Sequence, residues 1–291
     1  MKKILITGAN SYIGVNVENW LSKWPEKYRV ETIDMIDGSW KNKDFSKYDS
    51  IYHVAGIAHS DNGKISEEKE KLYRSVNTDL TIAVAKKAAN EGVKQFIFMS
   101  SAIVYGSSAP LGKMKMITKD TEPTPNNCYS DSKWQAELGL RNIENKSNLK
   151  ICVLRPPMIY GKGSKGNYPV LAKFARKLPI FPKVNNTRSM IYIENLCEFV
   201  RLMIENEEFG VFWPQNKDYS NTTEIVQMIA KAHGKKIVIS SAFNWGLYIL
   251  RLVTGLVDKA FGSLAYDHEM SEYKEDYSLV GLEESIRRTE G

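Results

Sequence analysis

Short apolar runs alternate with longer segments of helical spacing through the first half of the chain. The runs are rich in branched and aromatic residues, as buried parallel strands are, and they cover residues 2–7, 29–34, 49–55, 94–99 and 150–154. The segments with helical spacing cover residues 15–23, 67–91 and 129–145. This alternation predicts an α/β protein with a Rossmann-type doubly wound parallel sheet.

The first strand leads directly into a glycine turn and a helix. Gly8 allows a tight turn, Gly14 lets the helix and strand pack closely, and Ser11 stands where another glycine is usual. Strand, turn and helix in this order predict a dinucleotide site, because amide groups at a helix N-terminus bind a pyrophosphate. The predicted contacts are Gly8, Asn10, Ser11, Tyr12, Ile13 and Gly14.

An acid ends the second strand. Asp34 lies at about the chain separation from Gly8 at which a carboxylate bonds the adenosine ribose. Such a carboxylate repels a 2′-phosphate, so the sequence favours NAD over NADP as the cofactor. Asp37 is the competing candidate, because the connection to the third strand is short.

A tyrosine and a lysine form the main candidate for proton chemistry. Tyr129 and Lys133 are four residues apart in a predicted helix, so they lie on one face. An ammonium group one turn away favours the phenolate and predicts a lowered tyrosine pKa. The tyrosine can then take or return the proton of a sugar hydroxyl, and a serine at the nearby strand end can bond the same oxygen. Alone, the pattern equally fits a packed tyrosine beside a solvated lysine.

Composition narrows the class of protein. The 291 residues carry a net charge of +6, which suits an anionic substrate, but no Lys/Arg block indicates a nucleic-acid partner. No signal peptide is evident, and Cys128, Cys152 and Cys197 are far apart, as free thiols of a cytoplasmic protein are. Residues 245–257 are apolar but too short to span a membrane and include Arg251. They predict a packed amphipathic helix, with docking on a membrane surface as the alternative.

These motifs together resemble the extended short-chain dehydrogenase/reductase family, in its nucleotide-sugar epimerase/dehydratase branch. The matching stretches are Thr7-Gly8-x-x-Ser11-x-x-Gly14, His53-Val54-Ala55-Gly56, Val76-Asn77, Ser100-Ser101-x-x-Val104-Tyr105-Gly106, Tyr129-x-x-x-Lys133, Leu154-Arg155-Pro156-Pro157-x-Ile159-Tyr160-Gly161 and Arg188-Ser189. The resemblance implies a nucleotide-sugar substrate and a homodimer that pairs helices 67–91 and 129–145. The apolar positions of those helices could instead face the chain's own sheet.

The resemblance also implies a role for each matching residue. Tyr129 is then the catalytic acid/base, Lys133 holds the nicotinamide ribose, and Ser101 bonds the reacting oxygen. Further cofactor contacts are Val54, Ala55, Gly56, Asn77, Ser100, Pro156 and Met158. Substrate contacts are Ser101, His59, Asn167 and Arg188, with the Arg188 guanidinium on the nucleotide diphosphate; His59 fits a surface loop equally well.

The pattern along the chain divides it into two predicted domains. Residues 1–161 form a Rossmann domain that binds NAD, and residues 189–213 are expected to return to it. Residues 162–188 and 214–291 form the substrate-binding domain. The loop at 161–166, rich in glycine and lysine, fits either a phosphate contact or a flexible linker.

The residues after the serine pair restrict the chemistry within this branch. Dehydratases that resemble this family carry an Asp-Glu pair there, and decarboxylating relatives keep a glutamate. Here Ala102 and Ile103 occupy those positions and cannot move protons. Hydride transfer at C4 remains, and an epimerase and a 4-ketoreductase share it. Of the two, the favoured prediction is a nucleotide-sugar 4-epimerase with bound NAD. The alternatives are an NAD(P)H-dependent 4-ketoreductase and, in another class, a non-catalytic dinucleotide sensor; retention of both the tyrosine and the lysine argues against the sensor.

Overall fold

The predicted alternation of strands and helices is confirmed in the computed structural model, which describes residues 1–57, 66–242, 244–253 and 255–291. The strands are β1 (Lys2–Thr7), β2 (Tyr28–Ile33), β3 (Ser50–His53), β4 (Gln95–Met99), β5 (Met116–Ile117), β6 (Lys150–Leu154), β7 (Met158–Tyr160), β8 (Ile180–Pro182), β9 (Met190–Tyr192), β10 (Gly210–Phe212), β11 (Val238–Ser240) and β12 (Ala265–Tyr266).

The α-helices are α1 (Tyr12–Leu21), α2 (Glu67–Tyr73), α3 (Leu80–Asn90), α4 (Cys128–Glu144), α5 (Asn167–Lys177), α6 (Ile193–Glu205), α7 (Thr222–Ala232), α8 (Asn244–Val253), α9 (Leu256–Phe261), α10 (His268–Ser271) and α11 (Leu282–Glu290). A π-helical segment, Arg74–Asp79, joins α2 to α3. Short 3₁₀ turns cover Ser39–Asn42 and Ala102–Tyr105.

Six parallel strands form the central sheet, in the order β10-β6-β4-β3-β1-β2. The chain passes from β1 to β2 on one side and then returns to β3 on the other side of β1. The strand order therefore reverses between β1 and β3, and ligands of doubly wound sheets bind at the carboxyl ends of the strands beside such a reversal. Branched and aromatic side chains from the strands, such as Leu5, Ile51 and Phe96, are fully buried.

The chain divides into two compact units. The first unit contains Met1–Gly106, Pro123–Pro156 and Cys197–Trp213, and it holds the whole six-stranded sheet. The second unit contains Ser107–Glu122, Pro157–Leu196 and Pro214–Gly291. Three small parallel pairs, β5–β12, β7–β9 and β8–β11, lie in the second unit, where α5, α7 and α11 pack together. The binding roles of the two predicted domains stay predictions.

The helix predicted over residues 67–91 forms, but a π-helical turn interrupts it. A π turn holds more residues than an α turn, so it rotates the preceding helix relative to the following one. The four-residue spacing of apolar positions therefore does not describe one buried face. Val84 and Ala88 are buried, whereas Leu72 is 49% exposed. In the π segment, the polar Asn77 is fully buried instead.

The apolar segment near the C-terminal end differs from its prediction. Residues 245–257 do not form one packed amphipathic helix, because α8 ends at Val253 and α9 begins at Leu256. Val257 in α9 is buried, but the apolar side chains of α8, such as Trp245 and Ile249, are mostly exposed. None of the helices in the described ranges has the length and apolar character that crossing a bilayer requires.

Candidate active site

Most of the predicted site residues follow the carboxyl ends of the parallel strands in the first unit. Gly8 follows β1, the segment 54–56 follows β3, and Ser100 follows β4. Pro156 follows β6, and its carbonyl accepts a hydrogen bond of 2.9 Å from the Ala102 amide. Because these ends lie at one edge of the sheet, the sheet itself brings the segments together.

The turn after β1 requires its glycines. Gly8 has a φ of 82°, and a Cβ there would lie 2.9 Å from the backbone of Ala55. Any side chain at Gly8 would therefore displace the segment that follows β3. A Cβ on Gly14 would lie 3.3 Å from the Gly8 carbonyl oxygen and 2.6 Å from the Ser11 hydroxyl. The turn is thus as tight as the sequence predicts.

The serine that replaces a glycine has a structural function. Ser11 is the N-cap of α1, and its hydroxyl oxygen accepts a 3.1 Å hydrogen bond from the Gly14 amide. The first turn of a helix leaves its amide groups without intrahelical acceptors, here those of Tyr12 and Ile13. Together with the helix dipole, these groups form a site for an anion. The serine hydroxyl can still donate a hydrogen bond outwards.

Asp34 and Asp37, the two acids after β2, differ neither in their exposure nor in the kind of hydrogen bond that they accept. The Asp34 carboxylate accepts the Ile36 amide at 2.8 Å, and the Asp37 carboxylate accepts the Ser39 amide at 2.9 Å. Both side chains are exposed. The hydrogen bonds from Ser39 lower the Asp37 pKa. The choice between these acids as the ribose contact therefore stays open.

Asn77 joins the segment after β3 to the helix α4. Its side-chain oxygen accepts the Ile57 amide at 2.9 Å, and its amide nitrogen donates to the Ser132 hydroxyl at 3.1 Å. Gly56 lies against the same group, because a Cβ there would be 2.9 Å from the Asn77 side-chain oxygen and 3.3 Å from Lys133 Nζ. The structure thus brings together Gly56, Asn77 and Lys133, which the family resemblance predicts to contact the cofactor.

Lys133 is buried and donates to a backbone carbonyl. Its Nζ lies 3.0 Å from the Met99 carbonyl oxygen at the end of β4. Burial lowers the pKa of this ammonium group to about 8, although the nearby Glu137 carboxylate raises it. Lys133 therefore loses part of its charge within the ordinary range of assay pH.

Tyr129 and Ser101 form the predicted hydroxyl pair. Their side chains are hydrogen-bonded, and the ring of Tyr73 lies 5.9 Å from that of Tyr129. The prediction of a lowered tyrosine pKa is wrong for this structure: burial raises the Tyr129 pKa to about 12, the Ser101 hydrogen bond lowers it, and Tyr73 raises it. Desolvation of the phenolate outweighs the attraction that the lysine spacing suggested.

A buried ion pair lies behind the serine pair. Arg155 contacts the Glu137 carboxylate through Nε and Nη2, the latter at 2.5 Å, and the side chains are 4% and 1% exposed. The same carboxylate accepts the Ser100 hydroxyl at 2.5 Å, and Arg155 Nη1 donates to the Tyr105 hydroxyl at 2.6 Å. The motifs in the sequence do not single out Glu137. The available signal was its spacing, because it follows Lys133 by four residues on one helix.

The other predicted site residues lie in the second unit. Met158 begins β7 and pairs with Met190, and Asn167 is the exposed first residue of α5. Arg188 Nη1 donates to the carbonyl oxygens of Lys259, at 2.7 Å, and Ala260. Burial lowers the pKa of Arg188. The arginine therefore contacts the last turn of α9 in addition to any ligand. His59 lies outside the described residues.

The chain is similar in sequence to a known protein family and to known enzymes. The model of the NAD dependent epimerase/dehydratase family matches residues 4–213. The UDP-glucose 4-epimerase of Vibrio cholerae is 28% identical over an alignment of 289 positions, which covers 91% of this chain and 87% of that protein. The N-acetyl-alpha-D-glucosaminyl-diphospho-ditrans,octacis-undecaprenol 4-epimerase of Escherichia coli O157:H7 is 28% identical over an alignment of 254 positions, which covers 80% of this chain and 73% of that protein.

Solved structures show the same fold. The UDP-glucuronic acid 4-epimerase from Bacillus cereus in complex with NAD has a TM-score of 0.75 at 20% identity, covering 98% of this chain and 96% of that chain. A dTDP-4-dehydrorhamnose reductase from Clostridium acetobutylicum has a TM-score of 0.74 at 17% identity, covering 99% and 98%.

Proposed function

Because the chain belongs to the NAD dependent epimerase/dehydratase family, we propose that this enzyme is an NAD-dependent nucleotide-sugar 4-epimerase. Hydride transfer at C4 would pass through a transient 4-keto sugar. The observation that carries the proposal is the hydrogen-bonded pair of Tyr129 and Ser101, with Lys133 one turn further along α4. Ala102 and Ile103 follow the serine, where a second proton-transferring pair would be needed for dehydration. One hydroxyl proton and one hydride are then the only groups transferred, and the 4-keto sugar would turn its other face to the cofactor before both return.

The residues of the first unit fit a dinucleotide. The tight turn at Gly8 and the open amide groups of α1 suit a pyrophosphate, and the cluster of Gly56, Asn77 and Lys133 suits the nicotinamide ribose. When bound, NAD supplies a centre that accepts a hydride from C4 and returns it. An acid at Asp34 or Asp37 would favour NAD over NADP.

Side chains of the protein would accept and return the proton of the C4 hydroxyl. With a pKa of about 12, Tyr129 holds its proton at neutral pH, so it can donate to a 4-keto oxygen. To take a proton, it must reach the phenolate, which the positive charge of Lys133 favours. Ser101 bonds the phenol and can hold the reacting sugar oxygen in place. Protonated Lys133 is therefore required for the base half of the reaction.

The substrate proposed is a sugar on a diphosphate, with UDP as the first choice because of the similarity to the V. cholerae UDP-glucose 4-epimerase. Arg188 and Asn167 are the proposed substrate contacts, with Arg188 on a diphosphate oxygen. The similarity to an enzyme named for an undecaprenol-linked sugar supports testing that carrier as well.

We also propose a homodimer in the cytoplasm. The helices α2 and α4 expose Leu72 and Leu138, by 49% and 39%, and a second copy could cover both side chains. A strictly monomeric mass by light scattering, over a range of protein concentrations, would contradict this proposal.

The decisive experiment compares wild type with Tyr129→Phe. The ring stays and the proton-transferring oxygen goes, so kcat should fall roughly 10²–10⁴-fold while NAD binding stays nearly unchanged. The assay is interconversion of paired 4-epimers of UDP-sugars and of N-acetylglucosaminyl-diphospho-undecaprenol. A variant with near wild-type turnover would refute the role of Tyr129.

The state of the cofactor separates epimerase from reductase. An epimerase should be purified with tightly bound NAD, released on denaturation. Weak NADPH binding, together with reduction of 4-keto sugars and no epimerisation, would instead indicate the ketoreductase.

A further inference from the structure

The helix α8 carries its apolar side chains on the face that is open to solvent. Trp245, Ile249 and Val253 recur at intervals of four residues and are 68%, 55% and 82% exposed. Tyr248 and Leu250 flank this row, and each is about half exposed. An ordinary surface helix turns such a row towards the core, so α8 has the opposite orientation. We call these five side chains the apolar row.

Polar contacts hold α8 in this orientation. The Asn244 side chain donates a 2.8 Å hydrogen bond to the Lys183 carbonyl, and Arg251 Nε lies 3.0 Å from the Asp258 carboxylate. The other oxygen of Asp258 accepts the Leu111 amide at 2.9 Å. The polar side of the helix therefore faces its own unit, and the outward direction of the apolar row follows from these contacts.

The surroundings of the apolar row are basic. No acidic residue occurs in the sequence between Glu224 and Asp258, or between residues 107 and 119. The loop 107–119 reaches α8, because a Cβ on Gly112 would lie 3.3 Å from the Tyr248 hydroxyl oxygen. Exposed Met114 in this loop extends the apolar surface. The segments that contact α8 supply Lys113 and Lys115 in the loop and Lys183, whose carbonyl accepts the Asn244 hydrogen bond.

We propose that α8 docks the enzyme on an anionic membrane surface. The apolar row would enter the boundary between head groups and acyl chains, and the basic residues would face anionic head groups. Trp245 and Tyr248 suit that boundary, because each combines an apolar ring with a polar atom. Ten residues cannot span a bilayer, but they can lie in its plane.

Charge favours a membrane over a second copy of the chain as the occupant of this face. Two copies meeting through α8 would bring the basic residues of both copies together, and like charges oppose association. An anionic surface has the complementary charge. The docking proposal does not depend on the proposed epimerase reaction, because it rests on α8 and its neighbours alone.

The test is co-sedimentation of the purified full-length chain with vesicles. We expect binding to vesicles of phosphatidylcholine mixed with phosphatidylglycerol, weakening with added salt, and far less binding to phosphatidylcholine alone. Val253→Asp should lower the partition coefficient roughly ten- to a hundredfold, the effect of withdrawing one apolar side chain from the lipid.

Leu279→Asp is the matched control. Leu279 is 54% exposed in the same unit but lies outside the apolar row, and the substitution changes the net charge equally. Equal vesicle binding by the two variants, or no binding by wild type, would overturn the proposal. So would a dimer that Val253→Asp dissociates without any change in vesicle binding, since α8 would then contact a second copy. Because both residues are exposed, thermal unfolding of both variants should match wild type.

Discussion

The buried Glu137–Arg155 pair gives a prediction with two separate measurements. The change is Glu137→Gln, which preserves shape and removes one charge. Arg155 then keeps a buried guanidinium without its counter-ion, since the arginine is 3% exposed. Breaking a buried pair in this way costs about 3–5 kcal/mol. For a domain of this size the melting temperature should fall on the order of 10 °C.

The second measurement is the pH dependence of turnover. Glu137 raises the Lys133 pKa, which burial brings down to about 8. Removing the carboxylate lowers that pKa further, so less ammonium remains at pH 8. Activity that needs the ammonium should therefore decline at a lower pH in the variant than in wild type. Glu137 therefore acts as a positioning residue for Lys133. If its role were purely structural, the pH at which turnover declines on the alkaline side would not change.

The control is Glu67→Gln in the same unit. Glu67 pairs with Lys71 on the surface, with side chains 81% and 74% exposed, and exposed pairs contribute about 0–1 kcal/mol. Its melting temperature and pH profile should match wild type. If Glu137→Gln melts like this control, or if its pH profile coincides with that of wild type, the assignment is refuted. Replacing Glu137 and Arg155 together with methionine should recover much of the stability.

Three further predictions concern the cofactor, the substrate and acid stability. Asp34→Ala should weaken NAD and admit NADP in a titration; an unchanged preference would point to Asp37. Arg188→Ala should weaken UDP binding in calorimetry roughly ten- to a hundredfold, the loss of a charge-assisted hydrogen bond; unchanged UDP binding with a lower melting temperature would mean that Arg188 only holds α9. Burial lowers the His53 pKa from 6.5 to about 3. Between these two pH values the unfolded chain therefore binds a proton on His53 that the folded chain does not bind. Stability in urea should therefore fall below pH 6.5, by up to about 1.4 kcal/mol per pH unit, and less steeply in His53→Gln.

The sequence predicted the sheet and the segments around the site for physical reasons. Short runs rich in branched residues fit buried strands, and parallel strands place their carboxyl ends at one edge. The Gly8 turn, the segment at Gly56 and the serine at Ser101 all follow strand ends, so locating the strands located them. The pairing of Tyr129 with Lys133 followed in the same way from helix geometry.

The features that the sequence could not predict depend on burial or on contacts between residues that are distant in the chain. The Tyr129 pKa is set by desolvation, and spacing along a helix contains no information about solvent. Glu137 reads as an ordinary surface acid until Arg155 is placed against it. For α8, an apolar stripe predicts an amphipathic helix but not which way it faces, and here Asn244 and Arg251 decide that.

The π-helical segment Arg74–Asp79 makes the enzyme sensitive to chain length as well as to side-chain identity. Deleting one residue there would restore a regular α-helix, and closing the wider turn would move the side chains that it now carries. Asn77 would then leave Ile57 and Ser132, which it now joins. A deletion in the exposed first turn of α2 should be harmless by comparison. Insertions and deletions among relatives should therefore avoid this one turn, and an alignment that places a gap inside it should be treated as an error of register.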